Sequence, residues 1–248
     1  MTPPRTAAAL VIGNELLTGK VQDSNVVALA KELFGLGVAL RRVVICSDEV
    51  DVIVSDLDEL RRRHDVVFTS GGVGPTHDDV TVGAVAKAFG RRLGRSQAIE
   101  SLLRETLGDR LTPHHLRMAE VPEGAELLTT RATRWPVVRV GNVYVLPGLP
   151  EVFRRKLEVV RETFGGGTPF ISRSISTKSD EGAIAPLLAR LSGEHPEISI
   201  GSYPRWGDGP VSVVVTFDGH DPRQVDSAVA ALENALPADQ IVGVDQDF

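Results

Sequence analysis

One cysteine, Cys46, stands in 248 residues, which excludes an intrachain disulfide and any metal site built on several thiolates. Cys46 closes the apolar run Val43-Val44-Ile45, so an inert buried thiol is expected there. No apolar run reaches the roughly 20 residues that a membrane-spanning helix needs. The first residues also lack the basic, apolar and small-residue segments of a secretory signal. A cytoplasmic protein is expected. Positive charge is scarce as well: 27 Lys and Arg face 33 Asp and Glu, a net charge of −6. Phosphodiester backbones demand a basic face, so nucleic acid is not expected as a partner; nor, without a spanning stretch, is a membrane. The two short basic runs, Arg61-Arg62-Arg63 and Arg154-Arg155-Lys156, fall in segments of helical spacing and are read as solvated helix faces. Missing too are the Gly-Lys-Ser/Thr of a Walker A loop and the G-x-G-x-x-G dinucleotide fingerprint.

What is present is an alternation. Ala7 to Ile12 reads as a strand buried on both faces and ends at Gly13. Asp23 or Ser24 caps a helix over Asn25–Phe34, where Val26, Leu29, Ala30 and Leu33 recur at helical spacing. Leu40–Cys46 is a second strand, and Val50, Ile53, Val54, Leu57 and Leu60 mark a second helix. Val66–Thr69 is a third strand, followed by a glycine loop and a helix from about Asp79 to Phe89. Three strand–helix repeats predict a parallel sheet covered by helices, with ligand beyond the carboxyl ends of the strands. Further on come a helix capped by Ser96, a short helix over Pro113–Glu120, and a hairpin turning at Gly141-Asn142. A last helix, after Pro147-Gly148-Leu149-Pro150, ends near Phe164.

Gly165-Gly166-Gly167-Thr168-Pro169 reads as a linker between a domain over residues 1–165 and a smaller one over 170–248. The smaller domain is predicted to be α+β, two helices on a mostly antiparallel sheet. Pro186 should kink its helix unless that helix starts later than Asp180.

The chemistry concentrates in Thr69-Ser70-Gly71-Gly72-Val73-Gly74-Pro75-Thr76-His77-Asp78-Asp79. Three glycines in four positions let backbone amides approach a ligand, and the following helix adds the positive end of its dipole. Phosphate is the natural guest. Asp78 and Asp79 would repel it unless a divalent cation binds carboxylate and phosphate oxygens together. The competing reading is that Asp at a helix start is a routine cap and glycine in a turn is routine as well. Asn14 and Glu15 come just after the first strand, Glu15 as a base or as an acceptor for backbone amides. His77 faces either ligand or solvent. Pro147 and Gly148 either wall the site or start their helix.

At these residues the sequence resembles the MoaB/Mog molybdopterin-binding domain. The resemblance runs through Gly13-Asn14-Glu15-Leu16-Leu17, Gln22-Asp23-Ser24-Asn25, Gly71 to Thr81, and Leu146-Pro147-Gly148-Leu149-Pro150. It is closer to the CinA-type branch and to the molybdopterin-binding-like domain of FAD synthase. The second unit is similar to the stretch after that domain in FAD synthase, through Asp180 to Pro186 and Gly201 to Gly207. It also resembles the KH-type region of CinA proteins.

The resemblance implies a three-layer α/β/α fold with a mostly parallel sheet and ligand above the glycine loop. It implies divalent-metal hydrolysis of FAD or ADP-ribose, with magnesium, manganese or cobalt as the cofactor. Asp78 and Asp79 would hold the cation, and Glu15 would assist the water. The expected ligand-binding set is Gly13, Asn14, Gly71, Gly72, Gly74, Pro75, Thr76, Thr81, Pro147 and Gly148. The alternative is a non-catalytic protein that binds molybdopterin or a nucleotide. A homo-oligomer, dimer or trimer, is expected. Asn14 replaces the Thr or Ser usual in the CinA branch, and Thr129–Val138 lacks its Gly- and Ala-rich stretch, so the substrate-side wall should differ. Neither the deamidase of CinA nor the adenylyltransferase of FAD synthase is expected of these residues.

Overall fold

A computed structural model describes residues 5–131, 133–207 and 209–245. The chain divides into two units after Gly167. The first contains β1 (Thr6–Ile12), α1 (Asn14–Leu17), α2 (Asn25–Gly35), β2 (Ala39–Cys46), α3 (Val50–Arg63), β3 (Val66–Ser70) and α4 (Thr81–Ala88). It continues through β4 (Leu93–Arg95), α5 (Gln97–Leu107), α6 (Pro113–Leu116), β5 (Glu120–Pro122), β6 (Glu126–Leu128), β7 (Val137–Val140), β8 (Val143–Leu146) and α7 (Pro150–Phe164).

Six strands form one sheet in the order β2-β1-β3-β8-β7-β6. The first four are mutually parallel, and β7 runs antiparallel to both of its neighbours, β8 and β6. The side chains of β1 explain the layers. Ala7 and Ala9 point to the side where Leu29 and Leu33 of α2 meet Phe153, Leu157 and Val160 of α7. Ala8, Leu10 and Ile12 point to the other, against Ile53, Leu57 and Leu60 of α3 and Ala84 and Val85 of α4. Each fully buried Leu or Ile contributes roughly 2 kcal/mol of apolar transfer. The fold is thus a three-layer α/β/α arrangement on a mostly parallel sheet.

Several local expectations shift. Ser96 does cap α5, accepting from the N–H of Ile99. Asp23, not Ser24, caps α2: its Oδ1 accepts from the N–H of Val26 at 2.8 Å. α4 starts at Thr81 rather than Asp79. The segment from Pro113 is helical only to Leu116; a 3-10 turn comes next, and Glu120–Pro122 pairs with β4 as a two-stranded ribbon. Arg61, Arg62 and Arg63 do sit on a polar face, paired with Asp58 and Glu59. Lys156 departs from the reading of its run as solvated. It falls on the same stripe of α7 as Phe153, Leu157 and Val160 and is buried, its ammonium donating to the carbonyls of Trp135 and Pro136.

The second unit contains β9 (Ile171–Thr177), α8 (Glu181–Glu194), β10 (Ser199–Pro204), β11 (Val213–Gly219), α9 (Pro222–Ala235) and β12 (Ile241–Asp245). Its sheet runs β10-β11-β9-β12, antiparallel throughout. Ile184, Leu191, Val225 and Leu232 of the two helices bury Ile175, Val215 and Phe217. α8 begins at Glu181 and keeps Pro186 inside it. The missing proline N–H leaves the Gly182 carbonyl to water, since Gly182 is exposed.

Candidate functional site

The site gathers at the carboxyl ends of β1, β3 and β8. Parallel pairing sets Val11 of β1 beside Ser70 and sets Ser70 beside Leu146 of β8. Three loops therefore leave the sheet side by side: one from Gly13, one from Gly71 and one from Pro147. They touch closely. A Cβ on Gly71 would lie 2.1 Å from the Ile12 carbonyl oxygen, and one on Gly148 would lie 3.2 Å from the Gly71 Cα. Gly71 and Gly72 also take φ of +108° and +63°, a region that favours glycine.

Side chains hold the glycine loop in shape. Buried Thr81 donates from its hydroxyl to the Gly71 carbonyl at 2.8 Å, and its N–H donates to the Gly72 carbonyl at 3.0 Å. Asp79 accepts the Thr76 N–H at 2.8 Å and the Thr76 hydroxyl at 2.5 Å, both on Oδ2. This accounts for the N–H groups of Thr76 and Thr81, and that of Gly71 donates to the Leu146 carbonyl at 3.2 Å. Among the described residues, the N–H groups of Gly72, Val73 and Gly74 have no protein acceptor. All three residues line one cleft beside the start of α4.

Asp78 is exposed beside His77, with Nδ1 and Oδ1 3.9 Å apart, and the His77 side chain is 98 % exposed. The Thr76 hydroxyl and the backbone N–H of Asp78 itself hold the Asp78 carboxyl below its usual range. That same hydroxyl makes its short hydrogen bond to Asp79, which is the contact the geometry supports. Among the described residues no group of three or more His, Cys, Asp or Glu is gathered to hold a metal. Asp78 and Asp79 are the carboxylates that could take part in holding a cation, Asp78 exposed and Asp79 bound to Thr76. Pro75 is half-buried between Gly74 and Thr76.

On the β1 side the backbone is already engaged. The Gly13 N–H donates to the Cys46 carbonyl, and the Asn14 N–H donates to Asp48 Oδ2 at 3.0 Å. Glu15, on α1, folds its carboxylate back over Gly13, where a Cβ would meet it at 2.5 Å. Cys46 lies behind this loop, and burial pushes its thiol up to about 12.

Two residues that sequence reasoning set aside or missed belong here. Asn25 sits buried at the first turn of α2, and its amide donates to Gly148 O at 2.7 Å and Ser70 Oγ at 3.0 Å. Arg117, 36 residues beyond Thr81 in the sequence, places Nη1 3.5 Å from the Thr76 carbonyl. It lines a cleft of about 180 Å³ together with Gly72, Val73, Gly74, Asp79 and Met118. No periodicity or motif marks it.

Residues 8–164 match a family model described as probable molybdopterin binding domain, and residues 169–245 match one described as FAD synthase, middle domain. A protein of Thermococcus kodakarensis is 35% identical over 244 residues, covering 92% of this chain and 96% of its own length. A probable FAD synthase of Caenorhabditis elegans is 29% identical over 266 residues, covering 95% of this chain. The chain spans only 51% of that relative. A crystal structure described as the protein CinA with unknown function, from Thermoplasma acidophilum, superposes with a TM-score of 0.60 at 28% identity. That match covers 66% of this chain and 99% of the other. Among the described residues, no helix is long and apolar enough to cross a membrane.

Proposed function

Because the chain belongs to the family described as probable molybdopterin binding domain, we propose that its glycine loop seats the pyrophosphate of a dinucleotide, FAD or ADP-ribose, and that the protein hydrolyses it. The observation that carries this reading is three successive N–H groups without protein acceptors, at Gly72, Val73 and Gly74, next to the carboxylates of Asp78 and Asp79. The relatives named FAD synthase lend flavin dinucleotide as a candidate.

In this reading the three amides hold non-bridging phosphate oxygens and strengthen their hold as charge develops on them. Asp78 and Asp79 would hold a divalent cation, which would supply neutralisation of phosphate charge. A water oxygen forms a bond to one phosphorus while the bond from that phosphorus to the bridging oxygen breaks. The products are two phosphomonoesters: FMN and AMP from FAD, or ribose phosphate and AMP from ADP-ribose. Glu15 takes the proton of the water, a role worth on the order of 100-fold or more in rate. Gly13, Asn14, Pro147 and Gly148 form the walls, and Pro75, Thr76 and Thr81 fix the loop.

A second reading is favoured by one contact. Asp79 is already bound by Thr76, so it serves equally as the brace of a loop that binds molybdopterin or a nucleotide without turning it over. The deciding experiment incubates FAD, ADP-ribose and NAD with the protein and magnesium, manganese or cobalt, and monitors phosphomonoester release. Metal-dependent release that is lost in Asp78→Ala supports hydrolysis. Tight binding with no release supports the second reading.

A further inference from the structure

We propose that Arg117 is the counter-charge for the phosphate seated at the Gly72–Gly74 amides, a binding residue supplied by the turn before β5 rather than by the loop. The proposal rests on the phosphate-loop reading above and adds a residue to it.

Three observations converge on Arg117. The first is position. Arg117 lines the same cleft as Gly72, Val73 and Gly74, the residues whose N–H groups have no acceptor. The second is charge. The other ionisable side chains on that cleft are Asp79 and Glu120, so Arg117 is the one cation among its described lining residues. An anion entering a cleft walled by carboxylates alone would be repelled, and a planar guanidinium is the side chain best shaped to grip two phosphate oxygens at once. The third is availability. Among the described residues Arg117 joins no ion pair, whereas Arg134, Arg139 and Arg161 are each closed by a glutamate. Its one contact, to the Thr76 carbonyl at 3.5 Å, is at the outer limit of a hydrogen bond.

The backbone beneath Arg117 is fixed. Ala119 is fully buried with Ile99 and Leu103, Met118 packs against them, and the Ala119 carbonyl accepts the Ser96 N–H at 2.8 Å. The guanidinium thus extends from a packed base to the Thr76 carbonyl, on the same cleft as the three amides. The bland alternative is that Arg117 only braces Thr76.

The test titrates the full chain, wild type and the variants Arg117→Ala, Arg117→Gln and Arg117→Lys, with AMP, inorganic pyrophosphate and adenosine, at low and high salt. Gln keeps a donor for the Thr76 carbonyl but removes the charge. The expected result is that Arg117→Gln and Arg117→Ala weaken AMP and pyrophosphate on the order of 10-fold or more. Arg117→Lys should retain part of that affinity, and adenosine should bind all four proteins alike. The melting temperature of Arg117→Gln should match wild type, and its AMP affinity should depend less on salt. Equal AMP affinity in wild type and Arg117→Gln overturns the proposal and leaves the loop reading standing. So does a loss in Arg117→Ala that Arg117→Gln restores, because that is the signature of a brace. Failure of wild type to bind either AMP or pyrophosphate overturns the loop reading, and this proposal with it.

Discussion

Asn25 and Gly148 are joined by a 2.7 Å hydrogen bond across 123 residues of sequence. The same amide holds Ser70 Oγ, so one buried side chain ties the start of α2 to the ends of β3 and β8, two walls of the site. Among the described residues its Oδ1 has no partner, and two good bonds on Nδ2 outweigh that unmet acceptor. Asn25→Ala should cost about 1–3 kcal/mol, because it removes both hydrogen bonds that the buried amide makes. Urea unfolding measures this; a midpoint equal to wild type would show the tie to be dispensable.

Glycines of the loop and of the helix after it differ in whether they must lack a side chain. Gly71→Ala would press a methyl against the Ile12 carbonyl, and Gly72→Ala against the Thr81 hydroxyl at 2.3 Å, both at positive φ. Each should destabilise by about 1–3 kcal/mol and reduce ligand binding. Gly83, inside α4, meets nothing within 4 Å of an added Cβ. Gly83→Ala should therefore stabilise by roughly 0.5–1 kcal/mol through helix propensity. Thermal melts of the three variants would test the contrast.

Asp78 and Asp79 should separate in mutagenesis. Asp78 is exposed, and the short hydrogen bond of the Thr76 hydroxyl goes to Asp79, so Asp78→Ala should change stability by less than about 0.5 kcal/mol. Any cation-dependent turnover should nonetheless fall with it. Asp79→Ala removes the acceptor of both Thr76 donors and should lower the melting temperature and ligand affinity together. Equal effects on stability from the two variants would contradict this assignment.

Lys156 supplies a pH signature. Burial lowers its ammonium from 10.5 to about 8. Below pH 8 the lysine is protonated in both folded and unfolded chains, and the full penalty for burying the charge applies. From pH 8 upward the folded chain releases the proton first, so the unfolded chain holds more protons and stability rises. The gain between pH 8 and pH 9 should be roughly 1 kcal/mol. Cys46 opposes it at higher pH, because its folded value is raised from 9.0 to about 12 and stability falls as the unfolded thiol ionises. Urea midpoints should thus climb from pH 8 to 9 and then level off. In Lys156→Met the climb should vanish; a climb that persists assigns it to another group.

The sequence made the scaffold legible wherever burial imposes a period. β1 reads as a run of apolar residues because it is covered on both faces, and α2 and α3 read from their apolar stripes. The glycine loop was legible because Gly71 and Gly72 need backbone conformations that other residues avoid. What escaped was short or long-range. α1 has four residues and β4, β5 and β6 have three each, too few for any period to register. Lys156 reads as solvated from its basic neighbours, yet its place three residues after Phe153 and one before Leu157 puts it on the buried stripe. Asn25 and Arg117 reach the site through tertiary contacts spanning dozens of residues, and no local pattern announces such partners.

The hydroxyl of Thr81 on the Gly71 carbonyl, the carboxylate of Asp79 on Thr76 and the amide of Asn25 on Gly148 are all bonds of the chain to itself. Loops held by such bonds are ordered as the chain folds, so a ligand proposed for them would find their ordering entropy already lost. An encounter at that end of the sheet should proceed in one kinetic phase, at a rate set by diffusion and charge instead of by loop rearrangement.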